Sequence, residues 1–301
     1  MSFEVTTAFV QQYRNTLAML AQQKMSRLRS RVYYEPVTGQ TAWFDQLGAS
    51  NGQKITSRHA DTPIANTPHR RRRIDLAPYN WADLIENADK ARMLTDPTSK
   101  YAQTGNSAMN RLIDDAIIPA FFATAYTGGD GTTQVTFPAS NQIAVNSWAY
   151  GSGSGNSGLT ISKLIEARVG LMGGEVTDDY DDQEMDNVYI AVTARQLGNL
   201  LATTEVTSKD YNAVQALVEG QVKRFMGFEF VRTERLQLDA NGYTRVPVWH
   251  RDGMYLGIAE DMTQVAIGIR EDKNRAVQPY YEMVFGAARI EEARVWEIKC
   301  T

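Results

Sequence analysis

The chain has 301 residues, of which 43% are apolar, and a formal net charge of −4 at pH 7. This length and apolar content suffice for one large domain or two smaller ones with a substantial core, while the slightly acidic balance argues against a surface that binds nucleic acid or anionic membrane throughout. The single cysteine, Cys300, excludes an internal disulfide and a zinc site of paired Cys and His residues, and no apolar run reaches the roughly 18 residues that a membrane span needs.

The first predicted element is a helix over residues 3–31, which contain no proline and carry apolar residues at mixed helical spacing. Glu4 is its only carboxylate, whereas its basic residues are Arg14, Lys24, Arg27, Arg29 and Arg31. We interpret it as a basic, weakly amphipathic arm, either docked on its own domain or reaching a neighbour. Because it lacks the basic start and continuous apolar core of a secretory signal, we expect a protein made in the cytoplasm.

Residues 39–78 predict a long polar hairpin. Two strand-like segments, Gln40–Gln46 and Arg70–Ala77, flank a stretch rich in Ser, Thr and Asn with little to bury. Such an excursion is usually disordered or held by another subunit. The second segment carries four consecutive arginines: Arg70, Arg71, Arg72 and Arg73. Because side chains alternate along a strand, this run suits contacts with two partners better than one phosphate track.

A helical region follows the hairpin. A short helix is predicted to begin at residues 80–83, and Asp96-Pro97 supplies an N-cap and a first-position proline for a second helix. Apolar residues at helical spacing predict that this second helix is long and amphipathic. We expect it to kink at Pro119 and to end at Gly128-Gly129.

The rest of the chain predicts an α+β fold without regular βαβ repeats. The glycine- and serine-rich residues 151–158 are interpreted as a flexible connector, since they match no phosphate-binding loop. Helices are predicted after Leu159, at Ala194–Leu201 and around residues 214–222. Strands are predicted at Thr133–Phe137, Val188–Val192, Phe228–Val231 and, after the Asn241-Gly242 turn, at Val246–Trp249, Met254–Ile258, Gln264–Arg270, Tyr280–Arg289 and Ala293–Lys299.

No catalytic constellation stands out in the sequence. His59, His69 and His250 lack the spacing of a zinc-binding helix, and no G-x-S-x-G motif lies between a strand and a helix. The densest charge is an acidic loop that includes Asp178, Asp179, Asp181 and Asp182. It lacks the calcium-loop pattern, so a solvated loop that pairs with basic residues of another copy is the preferred interpretation. We predict no enzyme, no cofactor and no metal.

Five stretches, taken in chain order, carry a resemblance to a known family. They are Met109–Gly131, Ile161–Met172, Asn187–Glu205, Val222–Arg232 and Arg270–Cys300. The first resembles a long spine helix that runs into a glycine-rich turn, and the last resembles closing strands with a Phe-Gly-Ala-Ala-Arg stretch. In this order they are similar to the major capsid proteins of tailed bacteriophages that have the Hong Kong 97-type fold. The similarity covers nearly the whole chain and depends on the order of the stretches.

The resemblance implies a division of the chain. Residues 1–34 would be an N-terminal arm and residues 35–79 an extended loop region lying over a neighbouring subunit. Residues 80–150 and 251–301 would form a peripheral domain, and residues 159–250 an axial domain. The implied function is self-assembly, in the host cytoplasm, into pentamers and hexamers of an icosahedral virion shell around double-stranded DNA.

The resemblance also suggests partners and sites. Arg70, Arg71, Arg72 and Arg73 would form intersubunit salt bridges, with Trp43 and Phe44 as apolar anchors. The basic arm would face the packaged DNA. Because the arm is too short to hold a scaffolding region, we expect a separate scaffolding protein. A portal protein is also expected, a decoration protein is a further candidate partner, and no membrane is involved.

Three alternatives remain open from the sequence. An encapsulin-type compartment shell would share the fold but enclose protein cargo. A DNA-binding protein would use the arm and the arginine run, and would bind DNA as a monomer in a salt-sensitive way. A carboxylate hydrolase would use Asp179 and Asp182.

Overall fold

The structure, a computed structural model, describes residues 21–58, 61–62, 64–86, 98–151, 153–174, 176, 187–202, 223–260 and 265–301. The helices among these residues are α1 (Thr98–Ala120), α2 (Ile161–Gly173) and α3 (Ala194–Ala202). The strands are β1 (Tyr33–Pro36), β2 (Thr41–Leu47), β3 (His69–Asp75), β4 (Ala77–Ala82), β5 (Ala125–Thr127), β6 (Thr133–Val135), β7 (Gln142–Ile143), β8 (Val188–Val192), β9 (Arg224–Phe225), β10 (Phe228–Arg232), β11 (Thr244–His250), β12 (Met254–Glu260), β13 (Val265–Arg270), β14 (Ala276–Arg289) and β15 (Val295–Cys300). Arg14, the acidic loop and the predicted helix around residues 214–222 lie outside the described residues.

The chain divides into two compact units. The first takes segments Met1–Ser26 (described from residue 21), Pro78–Leu112 and Glu260–Met283. The second takes Arg27–Ala77, Ile113–Ala259 and Val284–Thr301. The mixture of helices and several sheets agrees with the predicted α+β class. The finer division into arm, loop, peripheral and axial domains stays a prediction.

The first unit is organised by an antiparallel hairpin of β13 and the start of β14, on which β4 also pairs. The predicted helix at residues 80–83 is wrong. The chain is extended here because the backbone N–H groups of Asp83 and Ile85 donate to the Pro279 and Val277 carbonyls at 3.3 and 2.9 Å. Sheet pairing has therefore overridden the local helix signal.

The second unit contains a six-stranded mixed sheet with the order β7-β15-β11-β8-β10-β9. Strand β8 is buried at all five positions, as its unbroken apolar sequence predicts for a central strand. Helices α2 and α3 pack their apolar residues against the sheet, and Cys300 belongs to the same core. Burial raises the pKa of the Cys300 thiol to about 12, so this cysteine is protonated at neutral pH.

A buried lysine fastens the glycine-rich connector to this core. Lys163 is fully buried on α2, and its ammonium group donates to the backbone carbonyls of Val145, Ser157, Gly158 and Lys299 at 2.9 to 3.1 Å. Burial lowers the pKa of this ammonium, whereas the four hydrogen bonds favour its charged form. The connector is thus held at Ser157 and Gly158, close to its C-terminal end.

Helix α1 ends earlier than its sequence predicts. It stops at Ala120, one residue after Pro119, so the expected extension to Gly128-Gly129 is wrong. The kink expected at Pro119 stays a prediction. The Pro119 carbonyl accepts from the N–H groups of Phe122 and Ala123 instead, and the chain then enters β5. A proline lacks the N–H that a continuing helix requires, and here it marks the last turn.

The basic arm also differs from its prediction. Within its described part, residues 21–28 contain no helix, and Arg29–Arg31 form a single 3-10 turn. Contacts with α1 and β10 hold residues 27–31 in place of helical hydrogen bonds, as set out below.

Replacing the buried lysine with methionine (Lys163→Met) tests its role as a fastener. The variant keeps an unbranched side chain but removes the buried donor to four backbone carbonyls, so we expect the free energy of unfolding to fall by about 2 kcal/mol or more. Urea unfolding followed by tryptophan fluorescence measures this change. The control Lys223→Met alters an exposed lysine and should leave the midpoint unchanged; equal midpoints for the two variants would contradict the assignment.

Candidate functional site

The predicted hairpin exists and is built from β2 and β3. The two strands are antiparallel, with Thr41 opposite Asp75 and Leu47 opposite His69, and β5 and β6 extend the sheet to four strands. Between the strands, every described residue from Ala49 to Asn66 is exposed. Two isoleucines in this stretch are almost fully open to solvent: Ile55 is 82% exposed and Ile64 is 91% exposed.

The arginine run alternates between the two faces of β3, as the strand period predicts. Arg72 points inward beside Ile74 and is only 4% exposed. Its guanidinium donates to the Ile290 carbonyl at 2.8 Å and to both carboxylate oxygens of Glu292 at 2.6 Å. The structure therefore gives Arg72 a partner inside its own chain.

Glu292 has a second buried arginine beside it. The Nε atom of Arg289 lies 3.5 Å from the Glu292 carboxylate, and this arginine is 1% exposed. The Arg289 guanidinium also donates to the carbonyls of Phe121 and Ala123 at 2.7 and 3.0 Å, just beyond the end of α1. Burial lowers the pKa of Arg289, and the nearby Glu292 carboxylate opposes that shift. One carboxylate thus connects β3, β14 and the end of α1.

The outward-facing arginines also have partners in their own chain. Arg71 donates to Asp45 at 2.6 Å, and this hydrogen bond lowers the pKa of the Asp45 carboxyl. Arg73 donates to Asp75 at 2.8 Å. Arg70, by contrast, is exposed, and its guanidinium has no hydrogen-bond or ion-pair partner among the residues that the structure describes.

The two predicted apolar anchors have different surroundings. Phe44 packs into its own unit, with its ring centroid 5.4 Å from that of Tyr255 and 6.1 Å from that of Tyr33. Trp43 lies on the other face of β2 and is 40% exposed, with the Arg71 guanidinium 5.4 Å from its ring centroid. Of the two, only Trp43 offers a large accessible surface to a partner.

Residues 27–31 of the basic arm are held in place by side chains of α1 and β10. The buried carboxylate of Asp114 accepts from the backbone N–H groups of Arg27 and Leu28 at 3.1 to 3.2 Å. The Arg31 guanidinium pairs with Glu229 at 2.9 Å, and Arg29 lies over the Tyr34 ring.

The basic side chains of the arm are therefore not all free for DNA. Among its described residues, Arg27 donates to the Arg232 carbonyl at 2.6 Å, whereas Lys24 is exposed. The expectation that the arm faces DNA stays a prediction.

Sequence reasoning missed Asp114 and Glu292, the two acids that organise this region. The role of Asp114 could have been suspected from the sequence, because this acid interrupts the apolar residues of α1 next to Ile113. An acid in such a position is rarely buried without partners. Glu292 had none, because an acidic residue between strands is indistinguishable by sequence from a solvated turn residue. Its arginine partner on β3 is 220 positions away.

Removing the charge of Glu292 (Glu292→Gln) should destabilise the base of the hairpin. Two buried guanidinium groups lose their shared counter-charge, so we expect the free energy of unfolding to fall by about 3 kcal/mol. Chemical unfolding measures the change. The adjacent Glu291→Gln is the matched control, because Glu291 forms an exposed pair with Arg294 and should cost less than about 1 kcal/mol. Similar losses in both variants would show that the cluster has no special role.

Removing the arm's anchor (Asp114→Ala) should release residues 27–31. Two backbone N–H groups lose a buried charged acceptor, and we expect trypsin to cut after Arg27, Arg29 and Arg31 several times faster. Mass spectrometry of the digest gives the rate. Asp115→Ala serves as the control, since it removes only a half-exposed pair with Arg235. Unchanged cleavage in the Asp114 variant would count against the anchor.

No set of three or more His, Cys, Asp or Glu side chains in the described parts of the chain is arranged to hold a metal ion. Over the same residues, no helix has both the length and the apolar character needed to cross a membrane.

The comparisons with known proteins agree with the resemblance found in the sequence. The chain matches a family model described as phage capsid protein over residues 5–301. Individual curated proteins give no match. The capsid structure of the cyanophage P-SCSP1u superposes with a TM-score of 0.69 at 16% identity, covering 99% of this chain and 94% of that one. The capsid of Ralstonia phage GP4 gives 0.74 at 11% identity, with 97% and 95% covered. The capsid of a native GTA particle gives 0.68 at 14% identity, with 99% and 97% covered.

The chain therefore belongs to the phage capsid protein family. Its fold is that of tailed-phage capsid proteins, and its identification as a major capsid protein of the virion is confirmed. The family is one of structural proteins.

Proposed function

We propose that this capsid protein self-assembles into pentamers and hexamers of an icosahedral shell that encloses double-stranded phage DNA. The observation that carries the proposal is the loop between β2 and β3. It spans about twenty residues, is exposed at every described position from Ala49 to Asn66, and presents Ile55 and Ile64 to solvent. A neighbouring subunit supplies the apolar surface that the loop's own chain does not.

The physical reason for assembly is the unburied apolar surface on a loop without its own core. Ordering such a loop costs conformational entropy, which burial of the two isoleucines against a neighbour offsets. Each fully buried isoleucine side chain contributes about 1.5–3 kcal/mol. The fixed base of the hairpin limits how far the loop can wander, which lowers the entropy lost on docking.

The further partners follow from the same proposal. A separate scaffolding protein directs shell size, a portal protein occupies one vertex, and a decoration protein is an additional candidate. Packaged DNA contacts the inner surface without sequence preference, through exposed basic residues such as Lys24. In this proposal the chain acts as structure and catalyses no reaction.

We also propose the division of the chain that the family implies. Residues 1–34 serve as the arm and residues 35–79 as the extended loop region. Residues 80–150 and 251–301 form the peripheral domain, and residues 159–250 form the axial domain. Each subunit then contributes its loop region to the surface of the next subunit.

The test is electron microscopy of the protein expressed alone and with candidate scaffolding proteins. Wild-type protein should give closed shells, tubes or hexameric rings. The double variant Ile55→Asp/Ile64→Asp should fold normally, because neither side chain is buried in the subunit, and should form no shells, because two charges would have to be buried at the contact.

The matched control is Leu238→Asp, which replaces a 62% exposed leucine outside the loop with the same acid. It should assemble like the wild type. Normal shells from the double variant would overturn the role of the loop. If the wild-type protein gives only small discrete particles under every condition, the proposal that it assembles into a shell is wrong.

A further inference from the structure

The base of the hairpin borders a cavity of about 650 Å³ with an unequal charged lining. Its charged side chains are Arg70, Arg71, Arg72, Asp45 and Glu292. Arg71 is hydrogen-bonded to Asp45, and Arg72 is hydrogen-bonded to Glu292, so two of the three arginines are neutralised within the chain. The charge of Arg70 is left without a counter-charge.

Arg70 also lines a second cavity, of about 390 Å³, on the side of the hairpin that carries Leu47 and Gly48. Its guanidinium is exposed and makes no ion pair or hydrogen bond with any residue that the structure describes. Arg72 and Glu292 line both cavities as well, but they are hydrogen-bonded to each other. The fork of N–H donors on Arg70 is therefore available to a ligand that approaches from outside.

The chemistry of the cavity fits a single carboxylate. A guanidinium binds a planar carboxylate through two parallel hydrogen bonds, and one uncompensated positive charge matches one negative charge. A nucleic-acid backbone needs a row of several free cations instead.

We propose that Arg70 binds a carboxylate side chain of a second copy of this chain within this cavity. The proposal rests on the shell assembly proposed above. The cavity lies at the base of the loop that we expect to reach a neighbouring subunit, so the two contacts are continuous. The chain itself is a sufficient source of the ligand, since it carries 35 acidic residues against 31 basic ones.

This assignment narrows the role of the arginine run. Arg71, Arg72 and Arg73 each form an ion pair with a carboxylate of their own chain. Arg70, at the end of the strand, is the member that selects the neighbour. An intersubunit pair at this position would fix the register in which the loop docks. The guanidinium can pair with the partner's carboxylate only when that carboxylate lies directly beside it.

The first experiment compares assembly of Arg70→Ala with that of Arg73→Ala. Both variants remove one arginine from β3, but Arg73 does not line the cavity. Arg70→Ala should leave the unfolding midpoint of unassembled subunits unchanged and raise the lowest concentration that yields shells several-fold. Arg73→Ala should assemble near the wild-type concentration. Wild-type assembly by the Arg70 variant would overturn the proposal.

The second experiment identifies the partner. Arg70→Lys subunits with and without ¹⁵N label are mixed in equal amounts and assembled. The shells are then treated with a carbodiimide, which forms an amide bond between an amine and a carboxylate in contact with it. Mass spectrometry should find Lys-to-carboxylate links between light and heavy chains. The control Arg71→Lys should give links to Asp45 within one chain only, because that carboxylate is its own partner.

Two results would contradict the proposal that Arg70 binds a carboxylate of a second copy. One is that Lys at position 70 is linked only to carboxylates of its own chain, and the other is that well-formed shells contain no link at all. If Arg70→Lys forms no shells, the proposal is tested by the first experiment alone, which measures the lowest concentration at which Arg70→Ala forms shells. Shell formation by the wild-type protein is scored separately by microscopy. A failure of the Arg70 contact is therefore distinguishable from a failure of the proposed function.

Discussion

The carboxylate of Glu292, shared by two buried arginines, is the constraint on which the hairpin base depends. Arg72 comes from β3, Arg289 comes from β14, and Arg289 also holds the carbonyls that follow α1. Burying a guanidinium without a counter-charge is costly, so these three segments are stable only in this mutual arrangement. The interaction specifies geometry more than it adds net stability, because dehydration of the charges offsets much of their attraction. A hairpin that docks on a neighbouring subunit benefits from such a fixed base, because less conformational entropy is then lost on docking.

A fixed base and an exposed loop together suggest how a subunit prepares for assembly. The strands β2 and β3 lie within a four-stranded sheet, whereas every described residue of the loop from Ala49 to Asn66 is exposed. The entropy of the strands is lost when the subunit folds, and only the loop remains to be ordered by a neighbour. The arm follows the same design at Arg27 and Leu28, where the buried Asp114 holds the backbone without using the basic side chains. Anchoring by backbone N–H groups leaves exposed charges such as Lys24 available to a partner.

The arginine run shows how far pattern reasoning reaches. Strand alternation correctly placed Arg72 on the face opposite to Arg71 and Arg73, because the period of a strand is a local property of the backbone. The partners of these arginines were beyond its reach. Asp45 lies across the hairpin, and Glu292 lies 220 positions further along the chain. A run that looks like one basic patch in the sequence is therefore three internal ion pairs and one free guanidinium among the described residues.

The α+β class, the hairpin, the buried strand β8 and the capsid family follow from the sequence, because each depends on local spacing or on the order of motifs along the chain. The turn at Asn241-Gly242 does so too, and Gly242 has the positive φ of 81° that such a turn requires. Three features depend on the folded chain instead: residues 80–82 pair with a sheet, the described part of the arm is not an α-helix, and α1 ends at Ala120. Partners distant in sequence hold two of these segments: the Pro279 and Val277 carbonyls for the chain around β4, and Asp114 for the arm. Helix α1 instead ends where the Pro119 carbonyl accepts from Phe122 and Ala123. Local propensity is worth a fraction of a kilocalorie per residue, and a few such long-range bonds outweigh it.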